Sequence, residues 1–373
     1  MKKLTLYEKL SLKRSPYKIE RRDGKYLWIK GERFLNFSSN DYLGIAASHK
    51  ANKIVSDAFL RFDISSSSSR LICGNYSLIE EAEKEYARFF GYEDALFFPS
   101  GYQANLAVIS ALFEKDDIIL FDKHVHSSII KGIMLSEAEC HGFNHNSISH
   151  LRRRLSKFQK KAVVITESLF SMDGDILNVK EIESLKQKFG FFCLVDEAHA
   201  FGVLGEKGKG IARRIADIAV GTLGKAFGFS GAFVLMPKKI KELLFNFSYP
   251  LMHSTAISPA HAVACKELLH IVADSEKERK QLQEISHLAR QRLKEEGFLI
   301  SGDAHIICLK VGDEKESLAV SNRLLEKKVY IPSVRYPTVP IGNSILRISI
   351  TSMHTEEDVE YLIRMLKDVW HKS

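Results

Sequence analysis

FFCLVDEAHAFGVLGEKGKGIARRIADIAVGTLGKAFG, residues 191–228, contains two buried-strand signals, each running into a residue with chemistry to offer. The first is the apolar run Phe191 to Val195, closed by the charge of Asp196. His199 follows within a turn. The second run, Ile218 to Val220, leads into Gly221-Thr222-Leu223-Gly224-Lys225. In a parallel α/β sheet the carboxyl ends of the strands form the ligand crevice, so Asp196, His199, Thr222 and Lys225 are expected to converge on one small molecule.

A strand-end acid, a histidine and a glycine-flanked lysine together suit pyridoxal phosphate. That group needs a lysine amine for covalent attachment and a carboxylate on its pyridinium nitrogen. A hydroxyl such as that of Thr222 suits its phosphate. Singly these signals are weak, because a lone lysine is usually solvated and an Asp-x-x-His is usually a local hydrogen-bonded pair.

The 373 residues are enough for two domains, or for one large α/β core with a smaller appendage. Hydrophobic residues at 45% and charged residues at 27% are those of a folded enzyme and exclude long disordered regions. No apolar run approaches a membrane span, and MKKLTLYEKLSLKRSPYK lacks the apolar core of a signal peptide, so a cytoplasmic protein with no membrane association is expected. Five cysteines, widely spaced and without a Cys-x-x-Cys, read as reduced thiols. A formal charge of +8 suits a polyanionic ligand such as a phosphate cofactor or a coenzyme A thioester as well as it suits nucleic acid.

Along the chain, residues 1–45 read as an N-terminal arm, with a weak helical pattern at Leu4, Tyr7 and Leu10, a stop at Pro16 and a hairpin of Tyr26 to Ile29 with Phe34 to Phe37. A helix is expected from Ser48 to Arg61, and the five serines from Ser65 to Ser69 form an ordered loop. Ser77-Leu78-Ile79-Glu80 has the form of a capping box, opening a helix whose buried face holds Leu78, Ala82, Tyr86 and Phe89 and which ends at Gly91. Strands and helices then alternate to Met236, which predicts a mostly parallel central sheet flanked by helices over a large domain, 46–258. From 259 to 373 a long helix through Glu296, then strands and two helices, predict a smaller α+β domain.

Ser100-Gly101-Tyr102 falls between a strand and a helix, where free N–H groups favour a phosphate, although one glycine alone more often marks an ordinary turn. Neither Gly221 to Lys225 nor Gly208-Lys209 has the spacing of a P-loop. Histidines 124, 126, 141, 145 and 150 with Cys140 match no standard zinc pattern, and no metal is expected. His126 differs in following a strand end, where an imidazole can stack on a flat cofactor. Arg152, Arg153 and Arg154 with Lys157, Lys160 and Lys161 form a basic run that reads as a solvated helix face, with no nucleic-acid-binding motif beside it. Arg347 interrupts the strand pattern Ser344-Ile345-Leu346-Arg347-Ile348, either facing solvent or clamping a carboxylate.

Taken together, NFSSNDYLG (36–44), SGYQAN (100–105), HSS (126–128), ESLFSMDGD (167–175), VDEAHAFGVLGEKGKG (195–210), GTLGKAFG (221–228), HSTAISP (253–259) and PTVPIGNSILRISIT (337–351) resemble the α-oxoamine synthases among the fold-type-I pyridoxal-phosphate enzymes. The resemblance implies that Lys225 bonds the cofactor, Asp196 partners its ring nitrogen, His126 stacks on the ring, His199 meets its phenolic oxygen and Ser171 lies beside it. It implies a phosphate held by Gly101, Tyr102 and Thr222, with Ser254 and Thr255 of a partner subunit, hence a homodimer with shared active sites. Arg347 resembles the arginine that holds an amino-acid carboxylate, Asn40 lies in a motif lining the site, and Arg14 resembles an arginine that meets the carboxylate of an acyl chain. The implied reaction condenses L-alanine with a pimeloyl thioester of coenzyme A or a carrier protein, in biotin synthesis. The alternatives are a sister reaction of glycine with acetyl-CoA and, more distantly, a basic binding protein that keeps the fold without the chemistry. Where the family commonly carries a glycine-rich loop, this chain has Ser65 to Ser69.

Overall fold

The computed structural model describes residues 2–158 and 162–370 and divides into two compact units. One holds residues 48–170 and 177–275; the other holds the chain up to 47, the excursion 171–176 and everything from 276 onward.

The chain begins with α1 (Lys2–Lys9), which ends at Ser11 in a left-handed conformation rather than at Pro16. Strands β1 (Arg21–Asp23), β2 (Tyr26–Ile29) and β3 (Glu32–Asn36) follow as an antiparallel meander. The sheet unit then runs through α2 (His49–Arg61), α3 (Ser77–Phe90), β4 (Asp94–Phe98), α4 (Gly101–Leu112), β5 (Ile118–Asp122) and α5 (Ser127–Ser136). It continues through β6 (Glu139–Phe143), α6 (Ile148–Leu155), β7 (Val163–Glu167), α7 (Val179–Phe189), β8 (Phe192–Asp196), β9 (Ile218–Thr222) and β10 (Ala232–Met236). Helices α8 (Lys238–Phe247), α9 (Tyr249–Met252) and α10 (Pro259–Asp274) complete it.

Its seven strands lie in the order β4-β10-β9-β8-β7-β5-β6, and β10 alone runs against the rest. This is the mostly parallel sheet that the alternating pattern predicts. Strands β7, β8 and β9 are buried almost throughout, as strands covered on both faces by helices must be. Their carboxyl ends present Glu167, Asp196 and Thr222 along one edge. β6 escapes the sequence pattern because Glu139-Cys140-His141-Gly142-Phe143 is an edge strand with only Phe143 buried.

Ser77 does not cap α3. Tyr76 takes the capping position with no side-chain bond, and Glu80 instead accepts from Asn75 Nδ2 at 2.7 Å. The helix therefore starts one residue early, and its buried stripe turns with it to Ile79, Ala82, Tyr86 and Phe90. Gly91 closes the helix at φ 77°, as expected. The serine loop is ordered: Ser66 is buried and donates to Ile257 O at 2.5 Å, and Ser68 O accepts from Ala256 N at 2.9 Å. In α6, Leu151 and Leu155 are buried while Arg152 and Arg153 face solvent; Lys160 and Lys161 lie outside the described residues.

The other unit adds α11 (Glu276–Glu295), β11 (Ile300–Ser301), β12 (Ile306–Gly312), α12 (Glu314–Glu326), β13 (Val329–Tyr330), β14 (Ser333–Val334), β15 (Ser344–Ser349) and α13 (Glu356–Val369). Its sheets are ordered β1-β2-β3-β13 and β11-β12-β15-β14. The parallel pairing of β3 with β13 joins residues expected to form a separate arm to the C-terminal unit. The expected long helix is two helices broken at Ser275, and the units divide there rather than at 258/259 because α10 packs against α2 and α3. No described helix is long and apolar enough to cross a membrane.

Candidate active site

In the sheet unit, the end of β9 carries the chain through a tight turn to Lys225, whose Nζ lies 2.8 Å from His199 Nε2. His199 follows the end of β8 and is buried. Asp196, 6% exposed at the last position of β8, accepts through Oδ1 from Ala198 N at 2.9 Å and through Oδ2 from Asn105 Nδ2 at 2.7 Å. Asn105 lies in α4, and its amide also donates to Ser128 Oγ at 3.0 Å. Ser128 Oγ in turn meets His126 Nδ1 at 2.8 Å, at the cap of α5.

The backbone N–H of His126 donates to Glu167 Oε1 at 2.5 Å, at the end of β7. Burial pushes the Glu167 carboxyl well up and the Asp196 charge adds to this, while Lys225 and the His126 N–H oppose it. Burial likewise lowers His126, against the nearby charge of Asp196 and with that of Lys225. Glu197, buried beside Asp196 in sequence, rises to about 7 through desolvation, although Ala212 N at 2.8 Å and Ile211 N at 3.1 Å donate to it.

Gly101 and Tyr102 are the first residues of α4, whose start leaves their N–H groups without intrahelical acceptors. A Cβ built on Gly101 meets Thr222 at 3.8 Å, an ordinary contact, so a methyl group would fit there without displacing the chain. Thr222 Oγ1 donates to Gly231 O at 3.1 Å and accepts from Gly224 N at 3.2 Å; it reaches an added acceptor only by releasing Gly231. Tyr102 stands edge-on to His126, with ring centroids 6.2 Å apart. Ser254 Oγ, expected from a partner subunit, accepts within this chain from Gln103 Nε2 at 2.9 Å, and Ser254 and Thr255 line one recess with Pro99 and Arg70.

In the second unit, β15 carries Arg347 in register with Cys308 of β12. Its guanidinium donates through Nε to Ser171 O at 2.6 Å, and through Nη1 to Asn40 Oδ1 at 3.2 Å and Ser349 Oγ at 2.7 Å. Tyr42 OH donates to the same Asn40 oxygen at 3.0 Å, and the buried phenol is raised by desolvation against the charge and hydrogen bond of Arg347. Arg14 Nη2 reaches Thr338 Oγ1 at 3.0 Å and the carbonyls of Arg335 and Tyr336 at 3.4 Å.

Asp196, His199, Lys225 and His126 thus gather at one sheet edge, while Asn40, Ser171 and Arg347 share a cluster of their own. Asn105, Ser128 and Glu167 join this network without a role expected from sequence. Asn105 had a signal to find: it is the one amide among Ala104, Ala107, Val108 and Ile109 on the buried face of α4.

Residues 32–366 match the family described as aminotransferase class I and II. The chain is 36% identical over 359 residues to the 8-amino-7-oxononanoate synthase of Buchnera aphidicola subsp. Baizongia pistaciae, covering 95% of this chain and 94% of that protein. Among solved structures it is similar to serine palmitoyltransferase of Sphingomonas wittichii, with a TM-score of 0.91 and 28% identity over 99% of this chain and 95% of that one. A serine palmitoyltransferase from S. paucimobilis with a bound PLP–myriocin aldimine matches at a TM-score of 0.90 and 26% identity, over 95% and 92% of the two chains.

Proposed function

The chain belongs to the aminotransferase class I and II family, and from that premise we propose that it is a pyridoxal-phosphate-dependent acyltransferase. The reaction condenses L-alanine with a pimeloyl thioester to give 8-amino-7-oxononanoate, carbon dioxide and free thiol, a step of biotin synthesis. The single observation that carries this reading is the Lys225 Nζ to His199 Nε2 contact at 2.8 Å, on the sheet edge that also presents the buried Asp196. The activity named for the Buchnera relative supports the choice of reaction.

The residues fit the cofactor. Gly101, which has no side chain to obstruct an approach to its N–H, faces Thr222 at a helix start, where an anion is favoured. Amine, imidazole and carboxylate are the groups that a pyridinium phosphate aldehyde requires. When bound, pyridoxal phosphate supplies an electron sink for the carbanion formed at the amino acid's α carbon. Lys225 would give the amine that carries it, and its Nζ would be the base that takes the amino acid's α-proton. Asp196 would hold a proton on the ring nitrogen, His126 would cover the ring and His199 would orient its phenolic oxygen, while the role of Ser171 beside the ring is carried over from the resemblance. Gly101, Tyr102 and Thr222 would hold the phosphate, together with Ser254 and Thr255 of a second subunit. Arg347 would receive the amino-acid carboxylate, with Asn40 in the motif that lines the site, and Arg14 would meet the far carboxylate of the acyl chain.

The protein is proposed as a cytoplasmic homodimer. Its five cysteines carry no disulfide, in keeping with a reducing compartment. Exposed Ile72, Phe247 and Tyr249, at 81%, 60% and 74%, offer apolar surface for a second copy.

The test is product formation, read by mass spectrometry, with pimeloyl-CoA and L-alanine, glycine or L-serine supplied in parallel to protein reconstituted with pyridoxal phosphate. L-alanine should be preferred, and Lys225→Ala should cut turnover by roughly a thousandfold or more. Retained turnover in that variant removes the assignment. The similarity to serine palmitoyltransferases favours L-serine with a longer acyl chain as the second reading.

A further inference from the structure

We propose that Asn105 is a positioning residue that holds the Asp196 carboxylate in a set direction and, through Ser128, keeps the proton of neutral His126 on Nε2. Its importance for the reaction rests on the function proposed above; the hydrogen-bond chain does not.

Asn105 is 1% exposed in the middle of α4, among apolar neighbours where a polar side chain is tolerated only if bonded. An amide has two N–H bonds, and both are used: one on Asp196 Oδ2 at 2.7 Å, the other on Ser128 Oγ at 3.0 Å. Turning the amide over would set its oxygen against the carboxylate oxygen, acceptor against acceptor. The orientation with both donors engaged leaves Asn105 Oδ1 buried and without a partner among the described residues. That cost is accepted at a position where a leucine would pack without it.

The direction of the chain follows from counting hydrogens. Ser128 Oγ receives a bond from Asn105, and the Ser128 backbone N–H points at His126 Nδ1 from 3.3 Å, which makes that nitrogen an acceptor, so the Ser128 hydroxyl hydrogen goes to it as well, at 2.8 Å. Nδ1 is therefore an acceptor twice over, and a neutral ring carries its hydrogen on Nε2. Asp196 is pinned on both oxygens from different segments, by Asn105 and by Ala198 N at 2.9 Å. Its carboxylate plane is set before any ligand arrives, which is the preorganisation that an ion pair with a ring nitrogen needs.

The experiment is a long-range 1H–15N spectrum of the full chain labelled with 15N-histidine, with and without pyridoxal phosphate, the His126 signals being assigned by their loss in His126→Asn. Wild type should show the Nε2–H form, and Ser128→Thr should keep it. Asn105→Ala should turn His126 to a mixed or doubly protonated pattern and weaken pyridoxal phosphate binding roughly tenfold to a hundredfold, the loss of one charged hydrogen bond. A proton on Nδ1 in the wild type overturns the proposal, whether or not Asn105→Ala folds; so does an unchanged His126 pattern in a folded Asn105→Ala. A wild-type chain with the Nε2–H form that does not bind pyridoxal phosphate would remove the proposed function and leave this network standing.

Discussion

At the scale of single residues, Arg347 is the most exacting position. Its Nε and Nη1 are directed by Ser171 O, Asn40 and Ser349, so the guanidinium is held in one plane for the carboxylate proposed to meet it. A lysine has a point charge and no second edge. Arg347→Lys should raise KM for the amino acid about a hundredfold with a smaller change in kcat; an unchanged KM in steady-state assays would send the carboxylate elsewhere. His354 makes a different prediction. It is fully buried, its Nδ1 accepts from Thr351 N at 3.0 Å, and burial lowers it from 6.5 to about 4. Between those values the unfolded chain binds more protons than the folded one, so this residue's contribution is present above pH 6.5 and is lost as pH falls towards 4. The loss is roughly 3 kcal/mol. Glu197 runs the other way: raised from 4.5 to about 7, it takes up protons in the folded state first, and its contribution declines as pH rises through that window. Because the two oppose, the measurement is a difference: His354→Asn should lose less stability than wild type between pH 6.5 and 4.5, by thermal unfolding at each pH.

At the scale of elements, the two glycines that flank the candidate phosphate position are glycines for different reasons. Gly221, in β9, lies in register with Phe233 of β10, and a Cβ there would meet Phe233 Cζ at 2.3 Å and Phe201 Cδ2 at 2.7 Å. Those rings stack 5.4 Å apart in an aromatic layer with Phe90 and Tyr86. Gly221→Ala should therefore destabilise the fold by about 1–3 kcal/mol, the usual cost of overpacking, in chemical denaturation. Gly101→Ala should leave stability nearly unchanged, because its Cβ meets only Thr222 at 3.8 Å, and should instead weaken pyridoxal phosphate binding. Equal losses of stability in both variants would contradict this division. Helix α3 shows how far local pattern reaches: its existence and its end at Gly91 are visible in sequence, but Tyr76 rather than Ser77 occupies its cap, and the stripe turns by one residue. A capping box competes with whatever else the side chains can bond, and Asn75 takes Glu80.

At the scale of the whole molecule, the proposed dimer predicts that Ile72→Asp with Phe247→Asp, both at exposed apolar positions, shifts the protein towards monomer in sedimentation velocity and weakens pyridoxal phosphate binding if Ser254 and Thr255 act across the interface. A wild-type chain that sediments as a monomer at micromolar concentration would remove the dimer. The strands that end at Asp196 and Thr222, and with them the lysine and the acid, are legible in residues 191–228 because a buried parallel strand writes itself as a short continuous apolar run, a signal needing no distant partner. Arg347 is legible as a charge inside a strand, but its partners are not: Asn40 lies 307 residues away. Asn105 and Asp196, 91 residues apart, meet only because α4 packs on β4, β10 and β9, the last of which is the neighbour of β8. The same holds for β3, assigned to an arm until its pairing with β13 joins it to the C-terminal unit. Periodicity and turn chemistry act over a few residues and so can be read along the chain; hydrogen bonds between side chains on separate elements depend on packing in three dimensions, and only the folded chain decides them.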